Sequence, residues 1–278
     1  MSVPQISVIV PMYNESDNLP ELHERLTKVL AGMETGGEII YVDDGSTDGT
    51  SEQLELLLQQ PQPVCVRAVW LPRRRGKTAA LSAGFAIARG SILVTTDADL
   101  QEPPEVLPML VAPLRSGEAH MVVAWRQQRQ DTAFRVFASQ VFNAVLRWLS
   151  DQPLHDVNCG TKALLREVAE RLMGWMRSDM HRYLPVIAAR MGYRVVEAPV
   201  PHVARRRGRS RFGVSRYLRA AVDFLPVSLL WWRGRFAWLA LTAASTILVG
   251  LRSPLGWVGL GLAAVWLGTA LAFWSRTR

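Results

Sequence analysis

Short apolar, β-branched runs recur through the first half of the chain: Ile6–Pro11, Glu38–Val42, Val64–Leu71, Ser91–Thr96 and His120–Trp125. Between them, Leu19, Leu22, Leu26, Val29 and Leu30, and then Leu54, Leu57 and Leu58, recur at the three- and four-residue steps of a helix with one apolar face. Strands alternating with helices predict right-handed βαβ units, an α/β class and a mostly parallel sheet covered on both faces. Ligands of such sheets gather at the carboxyl ends of the strands. The polar clusters fall there: Tyr13-Asn14-Glu15 after the first strand, Asp43-Asp44-Gly45-Ser46 after the second, and Asp97-Ala98-Asp99 after the fourth.

The second half changes character twice. Phe134, Phe137, Val141, Val145 and Leu149 have helical spacing, and Tyr193–Val200 reads as a further strand. Next, Leu218, Val222, Leu225 and Leu229 share one side of a segment that ends in Trp231-Trp232 and is flanked by arginines, which predicts an amphipathic helix in the membrane interface over 217–235. Two apolar stretches follow, Phe236–Leu251 and Leu255–Trp274, separated by Arg252-Ser253-Pro254. At about 1.5 Å per residue the second is long enough for a hydrocarbon core of about 30 Å, so residues 236–278 are expected to form a transmembrane hairpin. Arg233, Arg235, Arg276 and Arg278 outweigh Arg252, which orients the hairpin with the domain of residues 1–216 in the cytoplasm. The expected location is the inner (cytoplasmic) membrane, and the lipid bilayer is the first expected partner.

Charge sharpens this picture. The formal net charge of +8 has a local source, because Arg205, Arg206, Arg207, Arg209, Arg211, Arg216 and Arg219 crowd one segment beside the apolar stretches. That position favours lipid phosphate over nucleic acid, for which no recognition motif accompanies the arginines. Cys65 and Cys159 stand far apart without ligand spacing, so no disulfide framework or zinc site is implied, and Cys65 is expected in the core. No cleaved signal peptide is expected, since the amino terminus lacks a basic stretch followed by a long apolar one.

The sharpest chemical signal is Asp97-Ala98-Asp99, followed by Gln101. Two carboxylates and an amide at a strand end offer hard oxygen ligands, suited to Mg²⁺ or Mn²⁺ bridging a diphosphate. Such an ion would neutralise charge on a departing nucleotide diphosphate. Pro103-Pro104 then sets the start of the next helix.

Taken in order, Val8-Ile9-Val10-Pro11-Met12-Tyr13-Asn14-Glu15, Val42-Asp43-Asp44-Gly45-Ser46-Thr47-Asp48-Gly49-Thr50 and Asp97-Ala98-Asp99-Leu100-Gln101-Glu102-Pro103-Pro104 resemble family 2 glycosyltransferases. Within that family the likeness is to the dolichyl- and polyprenyl-phosphate hexose synthases. It continues through Asp156-Val157-Asn158-Cys159-Gly160-Thr161-Lys162, His181-Arg182-Tyr183-Leu184-Pro185 and Arg207-Gly208-Arg209-Ser210-Arg211-Phe212-Gly213, and covers the chain to about Pro226.

The resemblance implies a GT-A fold and inverting transfer of a sugar from a UDP- or GDP-sugar to polyprenyl phosphate. It assigns Pro11, Tyr13, Glu15 and Asp44 to the base and ribose, Asp97 to the nucleotide, and Asp99 and Gln101 to the metal. Arg126, Arg135 and Ser139 match positions that contact donor or acceptor phosphates. Asp156 matches an acidic residue near the acceptor, and Arg207 and Arg211 flank the acceptor-phosphate motif. One departure stands out: the group often has Asn before the Gly-Lys pair, whereas this chain reads Arg73-Arg74-Arg75-Gly76-Lys77, with Lys77 placed to contact the nucleotide.

A lipid phosphate oxygen is already anionic near neutral pH, so the protein must chiefly join two anions and stabilise the leaving diphosphate. Asp156 is then an orienting residue rather than an obligatory base. Competing readings are a transferase to another membrane acceptor, a processive polysaccharide synthase and an inactive scaffold of the same fold. The second lacks its Gln-x-x-Arg-Trp motif here, and intact Asp97, Asp99, Gln101 and Asp156 oppose the third. Base, sugar, lipid length and oligomeric state are left open, with a homo-oligomer allowed.

Overall fold

The strands β1 (Ile6–Met12) and β2 (Gly37–Asp43) are buried along almost their whole length, as expected for parallel strands covered on both faces. They belong to a computed structural model that describes residues 5–33, 36–127 and 153–203. The predicted helix 217–235, the hairpin 236–278 and the pattern from Phe134 to Leu149 lie outside the described residues. Among the described residues, no helix is long and apolar enough to cross a membrane.

The remaining strands are β3 (Cys65–Trp70), β4 (Ile92–Thr95), β5 (Met121–Arg126), β6 (Lys162–Leu165) and β7 (Val195–Val200). Their order in the sheet is β3-β2-β1-β4-β6-β5-β7. Pairs β1/β2, β1/β4, β2/β3 and β5/β7 are parallel, whereas β6 runs antiparallel to both β4 and β5. The sheet is therefore mixed but mostly parallel, in a GT-A type α/β fold. The reversal at β6 has a consequence for the site. Lys162, where β6 begins, pairs with Thr95 where β4 ends, so the residues that lead into β6 arrive at the carboxyl edge of the parallel strands.

Helices cover both faces. Helix α1 (Leu19–Ala31) buries Leu19, Leu22, Leu26 and Leu30, each worth about 1.5–3 kcal/mol relative to exposure. Pro20 occupies its first turn, where a missing N–H costs nothing. Helix α2 (Thr50–Leu58) buries Leu54, and α3 (Lys77–Ile87) buries Ala80, Leu81 and Phe85. Helices α4 (Leu107–Arg115), α5 (Arg166–Met173) and α6 (Leu184–Arg190) complete the described set. At the amino end of the sheet Glu38 is fully buried, and its carboxylate accepts Ser7 Oγ–H at 2.6 Å and Arg89 N–H at 2.7 Å, with Arg67 at 3.2 Å. That pairing removes the cost of burying the charge.

Two expectations change. β6 was not among the strands read from the sequence; four residues cannot display a period, and its pairing with β4 and β5 decides its state. Cys65 was expected in the core but is exposed, because it opens the edge strand β3.

Candidate active site

The loops after β1 and β2 are locked to each other. Asn14 takes the left-handed conformation (φ 56°), which Asn tolerates better than most residues. Its N–H donates to Ser46 Oγ at 2.8 Å, and its Oδ1 accepts Thr47 N–H at 2.7 Å. Glu15 N–H donates to Thr50 Oγ1 at 2.9 Å, while the Glu15 carboxylate accepts from Asn18 Nδ2 at 2.7 Å. Buried Asp43 turns back on its own loop and accepts Ser46 N–H at 3.0 Å and the Ser46 and Ser51 hydroxyls.

Asp44 reaches further. Its carboxylate oxygens accept the Arg75 N–H at 2.6 Å and the Gly76 N–H at 2.7 Å, which pins the loop before α3. Gly45 makes this possible: it sits at φ +71°, and a Cβ there would lie 2.7–2.9 Å from the backbone of Arg73 and Arg74. The pinned loop lays the Arg74 guanidinium over the Tyr13 ring, 4.2 Å from its centroid. Tyr13, Asp44 and the triple arginine thus form one corner. At the start of α3, Lys77 makes an ion pair with Asp97.

Asp97, Asp99, Gln101 and Glu102 follow β4. Leu100 is held at φ 57°, an uncommon state for a branched side chain, and Gln101 N–H donates to Asp99 Oδ1 at 3.2 Å. Burial pushes the Asp97 carboxyl up, but Lys77, Lys162 and Arg126 outweigh it and leave Asp97 below the usual carboxylate range. Glu102 goes the other way. Its burial, together with the charges of Asp97 and Asp99, overcomes the pull of Arg126 and raises it to about 7.

The segment entering β6 closes this side. Asp156, 2% exposed, accepts two bonds from Arg126 at the end of β5, Nε–H at 2.6 Å and an Nη2 hydrogen at 3.0 Å. The same guanidinium lies 3.7 Å from Glu102. Burial works against the charge on Arg126, and burial also drives the Cys159 thiol far up, so it stays neutral. The carboxylates of Asp156 and Glu102 therefore hold Arg126 well above its ordinary range. Lys162, lowered to about 8 chiefly by burial, donates to the Cys159 carbonyl. Thr78, beside Lys77, shares a 2.8 Å hydrogen bond with buried His181.

Pro11, Tyr13, Glu15, Asp44, Asp97, Asp99, Gln101, Arg126 and Asp156 lie on loops or strand ends at the carboxyl edge of the sheet, and Lys77 opens α3 beside Asp97. Arg135, Ser139, Arg207 and Arg211 lie outside the described residues. The structure adds Glu102, Lys162 and Glu197 to the site. Glu102 and Lys162 belong to recognised motifs, but Glu197 carries no local signal.

Among the described residues, no three His, Cys, Asp or Glu side chains form a metal-holding group. The chemistry still fits a hard cation shared with substrate, since Mg²⁺ is commonly held by one or two carboxylates plus phosphates. Asp99 and Gln101 supply oxygen donors, and Asp97 and Glu102 set two further carboxylates in the same short stretch.

Comparisons with known proteins bear on the fold and the family. The model of glycosyl transferase family 2 matches residues 7–173. Undecaprenyl-phosphate 4-deoxy-4-formamido-L-arabinose transferase from Serratia proteamaculans is 32% identical over 268 residues, covering 94% of this chain and 81% of that protein. The enzyme of the same name from Salmonella choleraesuis is 31% identical with the same coverage. Among solved structures, a mannosyltransferase from Pyrobaculum calidifontis in complex with GDP-Man and Mn²⁺ matches at TM-score 0.57 and 24% identity, covering 99% of this chain and 83% of that one. Glucosyl-3-phosphoglycerate synthase from Mycobacterium tuberculosis, with Mn²⁺, UDP and phosphoglyceric acid, matches at 0.59 and 23%, covering 81% and 78%. These structural likenesses speak for the fold. With the family model spanning more than half of the chain and the curated relatives nearly all of it, the protein belongs to glycosyl transferase family 2 and is a glycosyltransferase.

Proposed function

We propose that the protein transfers a sugar, with inversion, from a nucleotide diphosphate-sugar to polyprenyl phosphate at the cytoplasmic face of the inner membrane. The observation that carries this reading is the buried Arg126–Asp156 pair set beside the acidic residues after β4. The guanidinium stands between Glu102, on the loop after β4, and Asp156, on the segment entering β6. The names of the relatives from Serratia proteamaculans and Salmonella choleraesuis, which specify undecaprenyl phosphate, support the acceptor class.

On this reading Tyr13, Glu15 and Asp44 hold base and ribose, with Pro11 beside them and Arg74 over the Tyr13 face. Lys77 and Asp97 orient the diphosphate-sugar. A divalent cation, when bound by Asp99 and Gln101, neutralises the leaving diphosphate. An acceptor phosphate oxygen attacks the anomeric carbon as the bond from that carbon to the diphosphate oxygen breaks. That oxygen needs no base near neutral pH, so Asp156 orients Arg126, and the guanidinium in turn offers charge-assisted hydrogen bonds to phosphate. Arg135, Ser139, Arg207 and Arg211 complete the acceptor-phosphate site, and residues 217–278 hold the enzyme at the bilayer.

The test is a panel of UDP- and GDP-sugars offered with undecaprenyl phosphate, the product identified by mass spectrometry. A glycosyl phosphate lipid is expected. Transfer only to a different acceptor, or donor binding without any turnover, would overturn this reading.

A further inference from the structure

Glu197 lies on β7, opposite Val123 of β5, and its side chain is only 8% exposed. A nearly buried carboxylate needs hydrogen-bond donors. It finds them in one place: the backbone of the segment leading to Asp156. One oxygen accepts the His155 N–H and the Asp156 N–H, each at 2.7 Å, and the other accepts the same His155 N–H at 2.8 Å and lies 2.8 Å from His155 Nδ1. The His155 ring in turn stacks on Trp125, with centroids 4.3 Å apart and planes 17° from parallel. Trp125 immediately precedes Arg126 on β5. The Arg126–Asp156 pair is thus gripped at both ends, by the Glu197 bonds under the Asp156 backbone and by the Trp125–His155 stack beside Arg126.

We infer that Glu197 is a positioning residue for transfer, acting through Asp156 on the orientation of the Arg126 guanidinium. The inference rests on the acceptor-side reading of Asp156 given above. Without Glu197 the two amides lose their acceptor and the Asp156 carboxylate can swing, taking its two bonds to Arg126 with it. Misplacement of such a group by about 1 Å can cost about a hundredfold in rate. Among the described residues Glu197 bonds only to His155 and Asp156, and not to Tyr13, Glu15 or Asp44, so nucleotide affinity is spared. A glutamine keeps part of the clamp: its amide oxygen can accept both backbone N–H groups, but its NH₂ faces the His155 N–H that the second carboxylate oxygen accepts at 2.8 Å.

The test uses the full-length enzyme in detergent, undecaprenyl phosphate, and the nucleotide sugar that the wild type turns over in the panel above. Glu197→Ala, Glu197→Gln, Asp156→Asn and the Glu197→Ala/Asp156→Asn double variant are compared. Readouts are kcat, UDP or GDP affinity, melting temperature and amide hydrogen exchange of the peptide containing His155 and Asp156. Expected are lost protection of that peptide and a kcat fall of about tenfold or more in Glu197→Ala, with nucleotide affinity unchanged. Expected too are partial recovery of both in Glu197→Gln, and a double variant no slower than Asp156→Asn, because residues acting as a unit are not additive. Unchanged protection in folded Glu197→Ala, or a full additional loss on top of Asp156→Asn, overturns the positioning role. Normal turnover by Asp156→Asn instead defeats the acceptor-side reading on which that role depends.

Discussion

Gly160 lies directly against Asp97: a Cβ at position 160 would stand 2.5 Å from the Asp97 carboxyl carbon. The carboxylate cannot simply step aside, because Lys77 holds it from α3. Gly160→Ala should therefore displace Asp97 and break its ion pair. A loss of about tenfold or more in transfer is expected, together with weaker nucleotide-sugar affinity. Isothermal titration with the donor checks it; unchanged affinity and turnover would show that Asp97 has no fixed place in the site.

Asp99 supplies a second test. It follows Asp97 at the end of β4, is 8% exposed, and accepts the Gln101 N–H at 3.2 Å. Asp99→Ala should abolish transfer while the fold persists, and chelation should do the same to the wild type. Addition of Mn²⁺ should raise the melting temperature of the wild type and not of Asp99→Ala, since a ligand bound only to the folded state stabilises it by mass action. Full turnover in chelator would remove the metal from the mechanism.

The expectations from sequence succeeded where local pattern is sufficient. Buried parallel strands such as β1 and β2 betray themselves as apolar runs, and the polar residues at their ends fall where a parallel sheet puts its ligands. They failed where pairing decides. β6 is recognisable only through its partners β4 and β5, and Cys65 is exposed because β3 ends the sheet. Glu197 stands 41 residues from Asp156, and only the β5–β7 pairing brings the two together. The interlocked Asn14–Ser46 and Asp44–Gly76 contacts were equally hidden, although each participant stood in a recognised motif.

Glu102 makes stability depend on pH. Burial, reinforced by Asp97 and Asp99, raises it from 4.5 to about 7 in the folded state. Between those values the folded chain retains a proton that the unfolded chain has lost, so stability falls as pH rises through this window. Glu102→Gln removes the effect. In chelator, the variant should gain on the wild type between pH 5 and pH 8, a comparison that denaturant titration at the two pH values makes directly. A constant stability difference would mean that Glu102 stays ionised throughout.

The buried Arg126–Asp156 pair predicts an asymmetry between single and double changes. Arg126→Ala takes two hydrogen bonds from the Asp156 carboxylate, at a residue 2% exposed, and removing one partner of such a pair typically costs about 3–5 kcal/mol. Adding Asp156→Ala removes that carboxylate as well. The double variant should recover part of that stability while remaining inactive in transfer, which separates structural from chemical dependence on the pair. Additive losses in denaturant titration would show that the two residues are energetically independent.

The arginine-rich segment beyond the described residues separates two kinds of electrostatics. If Arg207 and Arg211 grip the acceptor phosphate, each loses a charge-assisted hydrogen bond on substitution by alanine, worth about 1.5–3 kcal/mol or roughly ten- to a hundredfold in acceptor use. If the whole segment merely attracts the anionic bilayer, each arginine contributes about 1 kcal/mol whatever its place, and salt screens the contribution. Arg207→Ala and Arg211→Ala should therefore raise the acceptor KM or lower turnover more than Arg219→Ala, with nucleotide affinity unchanged in all three. Because a bound phosphate is shielded from solvent, the difference should persist at high ionic strength. Equal losses in all three variants, disappearing together in salt, would instead make the segment a membrane-surface patch and leave the phosphate to Arg126 and its neighbours.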